Sequence, residues 1–295
     1  MLGKSRLPFG KESRVTFRIL RSSIVTTIAM VIVIGFIVVS LAVFLTRGAI
    51  LPYNPLHIDI RAILQPPSLA HPFGTDSLGR DVLSRVLAAA PIDAEVPFVV
   101  LLIAVSLGLT TGIVAGYFGG RIEELVMRIT DIFLAFPGIV LALAIAASLG
   151  PNIQNSILAL APVWWPTYTR LARGETLSIK SQQYIEASRA AGHKSRFILL
   201  HHVLPNIIPV ILVYATLDFG NVILVFSVLS FIGLGAQSPT AEWGLMTVNQ
   251  ESYLTRAPWS PIFPGLAILA VAMAFSLFGD GLRDALDPRV RGLFS

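Results

Sequence analysis

The chain has no cysteine in its 295 residues, which excludes disulfides, thiolate nucleophiles and cysteine-ligated metals. Charge is scarce too: Asp, Glu, Lys and Arg make up 13% of the residues, against about 25% in an ordinary soluble domain. Hydrophobic residues fill 54% and the mean hydropathy is +0.74, so these deficits imply an integral membrane protein. The net charge of +5 does not point to nucleic acid, because the cations are divided among separate loops. Catalytic signatures are missing as well. A phosphate-binding loop needs a glycine-rich turn and a strand ahead of its Gly-Lys-Ser, and Gly3-Lys4-Ser5 has neither. No metal-hydrolase helix or serine elbow occurs. His201 and His202 are adjacent, so on a helix they point about 100° apart and share no ligand face.

What the chain does have is apolar length. At 1.5 Å per residue, about 20 residues cross a ~30 Å hydrocarbon core. Residues 24–46 form the first such stretch. It is too long for a signal-peptide core and lacks a small-residue cleavage site, so an uncleaved anchor is expected. Before it, Arg14, Arg18 and Arg21 with Phe17 and Leu20 fit either an amphipathic turn on the membrane surface or a solvated basic tail. Residues 96–120 supply a second span, with Gly108, Gly112 and Gly116 on one face permitting close helix packing. Residues 132–169 are too many for one crossing and divide at Gly150-Pro151-Asn152, the fourth span ending near Trp164, Trp165 and Tyr168 at headgroup level. A fifth span covers 206–232 and a sixth 262–278, after Pro258 and Pro261.

All but five of the 22 Lys and Arg fall on the side of the amino terminus; the exceptions are Arg47, Arg61, Arg80, Arg85 and Arg256. The bias of Lys and Arg toward the cytoplasm then places both termini inside. The expected organisation is a basic cytoplasmic segment (1–23), an anchor (24–46), an external loop (47–95), a five-helix core (96–282) with a cytoplasmic loop (170–205), and a cytoplasmic tail (283–295).

Within the cytoplasmic loop, residues 182–191 favour a helix, Gly192 can end it, and 194–203 resume a helical pattern until Pro205. Helix, glycine turn and second helix make a knob on which Tyr184, Ile185 and Ala187 are placed to enter a partner's groove. An ordinary surface loop is the alternative. In the external loop, Asp76 with Arg80 and Asp81 with Arg85 read as i, i+4 pairs that solubilise an exposed helix, worth ~0.2–0.5 kcal/mol each. Asp218 is the one acid well inside an expected crossing. A charge there costs ~2.5–3.5 kcal/mol, so it faces protein, water or a cation, either on a translocation path with Asn221 on its face or near the cytoplasmic interface. Asp131 reads as structural, paired with Arg128.

Glu186-Ala187-Ser188, Gly192 and Leu204-Pro205 resemble, in identity and spacing, the cytoplasmic coupling loop of ATP-binding-cassette importer permeases. Two positions depart from the general pattern: Ser188 replaces an alanine and His202 an isoleucine. The run His202-Val203-Leu204-Pro205-Asn206 is familiar in the oligopeptide, dipeptide and nickel branch. Pro72-Phe73-Gly74-Thr75-Asp76, Gly79-Arg80-Asp81-Val82, Ser230-Phe231-Ile232-Gly233-Leu234-Gly235 and the terminal run from Gly279 to Arg289 are similar to the second permease subunit of that branch. A glutamate that many relatives carry ahead of the Ser230 run is replaced here by Phe226.

The resemblance implies an all-α integral membrane protein of the type I importer permease (MetI-like) fold with six transmembrane helices. It implies a non-catalytic subunit coupled to its ATPases through Tyr184, Ile185, Glu186, Ala187, Ser188, Arg189, Ala190, Ala191 and Gly192. The implied partners are a second, different permease, two ATPase subunits carrying ATP and Mg, an external binding protein and the bilayer of the cell membrane, with no nucleic acid. No metal or cofactor is expected on this chain. Peptides are the expected cargo, with oligosaccharides or nickel chelates as alternatives. A secondary transporter would show inverted repeats and a central ion site, and an embedded enzyme would need converging His, Asp, Glu or Ser groups in the spans; the sequence offers neither.

Overall fold

The computed structural model describes residues 19–21 and 23–286, so the turn expected at Arg14 and Arg18 and the final Asp287-Pro288-Arg289 lie outside the described residues. The described residues are helical apart from loops and one isolated bridge between Thr75 and Asp81. Helix α1 (Ile24–Leu45) begins where the Ser23 hydroxyl accepts from the Thr26 amide at 3.4 Å.

Helix α2 (Val82–Phe118) starts at Val82, not at residue 96, because the Asp81 carboxylate caps it by accepting from the Ser84 amide at 2.7 Å. The sequence reading ended this span at its first charges; Asp93 and Glu95 instead lie within the helix. At 37 residues it is about 55 Å long, more than a hydrocarbon core needs. Its glycine stripe faces helix α5 (Ile153–Lys180): a Cβ on Gly112 would sit 2.4 Å from the Thr169 carbonyl oxygen, and one on Gly108 2.5 Å from Tyr168 Cβ.

The third crossing is broken. Helices α3 (Gly120–Leu134) and α4 (Gly138–Leu149) meet at 85°, since Pro137 lacks an amide hydrogen and pushes the residue before it out of the α region. The Asn152 side chain caps α5, accepting from the Asn155 amide at 2.7 Å. Asp131 pairs with Arg170 of α5 at 2.7 Å, not with Arg128, which lies 3.7 Å from Glu124.

After α6 (Gln183–Ala190) and the short α7 (Ser195–Ile198), a single wide π-turn (Leu199–Val203) leads straight into α8 (Leu204–Phe231). Pro205 therefore does not stop the chain. It lies in the first turn of α8, directly after the π-turn, and the helix runs on through it. The short α9 (Trp243–Asn249) and α10 (Trp259–Leu286) complete the order. Four helical stretches are long and apolar enough to cross a membrane, 24–45, 82–118, 195–231 and 259–286, and the bent α3–α4 pair passes the same test when its two helices are taken together. Helix α5 falls outside that set: residues 153–169 are uncharged, but Arg170, Arg173, Glu175 and Lys180 follow.

The segment between α1 and α2 folds down onto the helix ends. Asp76 and Arg80 pair at 2.7 Å on a turn, and both are buried. Arg85 does not join Asp81; its guanidinium donates to the Pro55 carbonyl at 2.9 Å and lies 3.8 Å from Asp76, while Asp81 takes His71 as partner at 2.9 Å. These pairs are therefore buried fasteners and not solubilising surface charges. Gln250 and Ser77 exchange hydrogen bonds of 3.0 and 3.1 Å, tying this loop to the segment around α9.

Candidate functional site

The knob is built by α6 and the turn after it. Gly192 has φ +84°, the left-handed conformation that favours glycine. Its amide donates to the Arg189 carbonyl at 2.9 Å and the His193 amide to the Ser188 carbonyl at 3.2 Å, the paired bonds of a Schellman stop. Of the expected coupling residues, Ile185 is 0% exposed and Ser188 buried, whereas Tyr184 is 45% exposed. Glu186, Ala187, Arg189, Ala190, Ala191 and Gly192 are all exposed. Ile185 is thus not available to a partner's groove: a helix of eight residues must bury one face to stay in place, and Ile185 joins Ile179, Ile198, Val203 and Ile207 in doing so. The Glu186 carboxylate, by contrast, has no partner among the described residues and is exposed on the knob's surface.

The two departures from the family pattern meet in space. The Ser188 hydroxyl is 3.2 Å from His193 Nδ1 and 3.5 Å from His202 Nε2. His193 and His201 both stack on Phe197, with ring centroids 4.3 and 4.2 Å away, and His202 packs edge-on to Tyr184 at 5.9 Å. The histidines serve as aromatic braces, and no cluster of three or more metal-ligating residues exists among the described residues. Nothing in the residue types at 193, 197 and 201 announced the stack except their four-residue spacing.

Three contacts gather at the base of the knob, one of them made by the knob itself. Lys180 Nζ donates to the Tyr117 carbonyl at 2.6 Å, the Arg189 guanidinium lies 5.4 Å from the Tyr117 ring centroid, and Arg173 donates through two nitrogens to one Glu123 carboxylate oxygen. Arg189 thus ties the knob to the end of α2, while the other two contacts tie the end of α5 to α2 and to the start of α3.

On α8, the Asp218 carboxylate accepts from the Tyr168 hydroxyl at 2.7 Å and from Asn221 Nδ2 at 3.4 Å, with Trp164 beside it. Asn221 is exposed and Asp218 half-buried. Asp218 forms no ion pair among the described residues, whereas Arg170 and Arg173 are taken by Asp131 and Glu123.

A second acidic site escaped the sequence reading because its two members are far apart in the chain. Asp93 and Glu242 are both fully buried, side by side. Glu242 caps α9, accepting from the Gly244 and Leu245 amides at 2.8 and 2.7 Å, and Asp93 accepts from the Trp243 amide at 3.3 Å. Asp93 Oδ1 meets no donor. Burial pushes the Glu242 carboxyl above the ordinary carboxylate range, so one proton held between the two acids is the arrangement that removes their repulsion.

The fold resembles a chain of the MetNI methionine ABC transporter, with a TM-score of 0.54 over 69% of this chain and 93% of that one at 18% identity. Among named relatives, the dipeptide transport system permease protein DppC of Alkalihalophilus pseudofirmus is 41% identical over 94% of this chain and 90% of its own length. The probable D,D-dipeptide permease DdpC of Escherichia coli is 42% identical over 92% and 89%, and the glutathione permease GsiD of Escherichia coli 42% over 87% and 85%. Residues 108–292 match the family of binding-protein-dependent transport system inner membrane components, spanning the glycine stripe, the broken third crossing, the knob and Asp218. With relatives this similar along nearly its whole length, the chain belongs to that family of multi-pass inner-membrane transport components.

Proposed function

We propose that this chain is the second permease subunit of an ATP-driven importer for di- or oligopeptides. Peptide cargo is supported by the substrates for which three relatives at 41–42% identity are named, dipeptides, D,D-dipeptides and glutathione. The chain itself does no chemistry in this reading; it forms one half of the path, and a different permease forms the other. Helix α5 completes the count of six spans through its uncharged first part. Both termini and the knob lie in the cytoplasm, where two ATPase subunits dock, and a binding protein delivers cargo from outside.

The observation that carries the reading is the division of α6 into a buried face and a bare crest. Ile185 holds the knob to the spans, while Tyr184, Glu186 and Ala187 are left for a partner. An ATPase that grips the crest differently in its ATP-bound and ATP-free forms shifts the equilibrium between permease conformations by that difference in free energy. Asp218 and Asn221 line the path: a carboxylate without a protein counter-charge, held in place by Tyr168, suits passage of molecules that carry an ammonium group.

The test is cross-linking. Ala187→Cys in the assembled transporter is expected to join an ATPase subunit, with a yield that changes when ATP is added, and to be protected from membrane-impermeant thiol reagents in intact cells. Labelling of the introduced thiol from outside the cell overturns the orientation and with it the coupling role.

A further inference from the structure

A polar pocket of about 190 Å³ lies in the segment between α1 and α2, lined by Tyr53, Asn54, His57, Asp59, His71 and Asp81. It is smaller than the ~300–1,000 Å³ that a whole drug-sized ligand fills, so it takes one end of a molecule. Its backbone is fixed. The Tyr53 amide donates to Ser84 Oγ at 3.0 Å, the Leu56 amide to Asn54 Oδ1 at 2.9 Å, and Arg85 holds the Pro55 carbonyl. At Gly79 (φ +73°) a Cβ would collide with the Asp59 carbonyl, so Asp59 is seated against the turn that leads into α2. The lining is rich in hydrogen-bond acceptors and contains no Lys or Arg. Tyr53 spends its hydroxyl proton on the Ala70 carbonyl at 2.9 Å, which leaves its lone pairs. A carboxylate can only accept, so His71 Nδ1 donates to the buried Asp81 and the neutral ring keeps Nε2 as an acceptor. Asp59 uses one oxygen to accept from the Arg61 amide at 2.9 Å; its other oxygen and the His57 ring have no partner among the described residues.

Three rival ligands fit less well. An anion meets two carboxylates. A transition metal needs three or more protein ligands, and no such cluster converges among the described residues. A guanidinium pairs best with both oxygens of a carboxylate, and one of those on Asp59 is taken. An ammonium is a compact charge with three donors and needs only single acceptors, which this lining supplies. We propose that the pocket binds an alkylammonium group, either a lysine side chain of a docked protein or the amino end of a free amine. On the importer reading the segment faces outward and the docked protein is the external binding protein. That source rests on the reading above; the chemistry of the pocket depends on neither orientation nor cargo.

Carbodiimide coupling tests this at Asp59: the activated carboxyl forms an amide with an amine held against it, and the carbodiimide leaves as its urea. The assembled transporter is treated with n-butylamine, with and without its binding protein, and the adducts are mapped by tandem mass spectrometry against Glu251, an exposed carboxylate. Butylamine is expected to label Asp59 about two- to five-fold more than Glu251, the range of an exposed ion pair. Tyr53→Phe, which keeps the ring stacked on His71 at 4.8 Å, and His57→Ala should each lower that excess. When the binding protein is added, a link from Asp59 to one of its lysines in place of butylamine assigns the group to that protein; undiminished butylamine labelling assigns it to free amines. Equal labelling of Asp59 and Glu251, an excess unchanged in both variants, or equal protection of Asp59 by propylguanidine overturns the proposal. Cross-linking of Ala187→Cys to an ATPase subunit does not involve Asp59, so the pocket and the importer reading fail separately.

Discussion

Ile185 and Glu186 are neighbours on one short helix, and the structure gives them opposite work. Ile185 is 0% exposed against Ile179, Ile198, Val203 and Ile207, in a part of the chain that precedes the apolar stretch of α8, so truncating it loses hydrophobic burial. Isoleucine-to-alanine changes at such sites cost about 2–5 kcal/mol, a factor of about 30 to 5,000 in the equilibrium that seats the knob. Glu186 is exposed and unpartnered among the described residues, and changes at such positions stay within about 0.5 kcal/mol. Ile185→Ala is therefore expected to lower the unfolding midpoint of the detergent-purified transporter and, through a loose knob, the ATP hydrolysis stimulated by loaded binding protein. Glu186→Ala is expected to leave the midpoint in place and to disturb only the link between hydrolysis and uptake. Two measurements on two variants, thermal unfolding and stimulated hydrolysis, decide it. If Glu186→Ala destabilises as much as Ile185→Ala, or Ile185→Ala leaves the midpoint untouched, the division into anchoring face and docking crest is wrong.

The glycine stripe gives a paired test. A Cβ on Gly112 stands 2.4 Å from a carbonyl oxygen where ordinary contact begins at 3.4 Å, so Gly112→Ala must part α2 and α5 by about an ångström and cost about 1–3 kcal/mol; Gly35→Ala, with nothing within 4 Å, is the neutral control, and equal midpoints would count against the close packing. Gly192→Ala meets no neighbour but inherits φ +84°, so a loss of about 1 kcal/mol is expected from backbone strain alone, with Gly192→Asn milder; equal losses for Ala and Asn would point to a side-chain contact instead. Because burial raises the Glu242 carboxyl, the folded chain holds a proton that the unfolded chain releases. Its stabilising contribution is complete below the ordinary value of 4.5 and is lost as pH rises through the raised one. Unfolding midpoints should fall over that window and fall less in Glu242→Gln; a rise would contradict the buried proton. Tyr168→Phe removes a donor to Asp218 worth about 1.5–3 kcal/mol if the carboxylate is ionised, so uptake should drop more than the midpoint does, whereas equal loss would make the bond merely structural.

Residue patterns made some of this architecture legible and hid the rest, for physical reasons. Periodicity shows which residues lie on one face, so the stripe at Gly108, Gly112 and Gly116 announced a close helix contact; it could not say that the contact is with α5. Lack of charge marks hydrocarbon depth and not helix length, which is why α2 starts at Val82, ahead of Asp93 and Glu95. Proline acts according to where it falls. Pro137 breaks the third crossing, while Pro205 sits harmlessly in a first turn, and only the position within the hydrogen-bond ladder separates the two. The charges at 76, 80, 81 and 85 read as surface pairs because sequence spacing carries no information about the loop that covers them. The same blindness hid Asp93 against Glu242, residues that meet only after α2 and α9 have packed.

The departures at Ser188 and His202 are one feature. In the general pattern both positions are apolar, alanine and isoleucine. Here a hydroxyl and an imidazole face one another across the gap between α6 and the π-turn, and His193 bonds the same serine. A polar group at a buried site costs its desolvation, and the two imidazoles at 3.2 and 3.5 Å offset that cost for the Ser188 hydroxyl. Their place matters for how force travels. The π-turn that carries His202 joins the knob to α8, and α8 carries Asp218 about four turns further on. Ile185 and Ile198 share a core cluster with Tyr168 and Phe226, and α2 lies too close to α5 for either to yield alone. Close-packed interiors do not compress, so in the proposed coupling a push on the crest of α6 is expected to move α5 and α8 as a unit. Tyr168 and Asp218, one on each of those helices and bonded at 2.7 Å, are then expected to travel together.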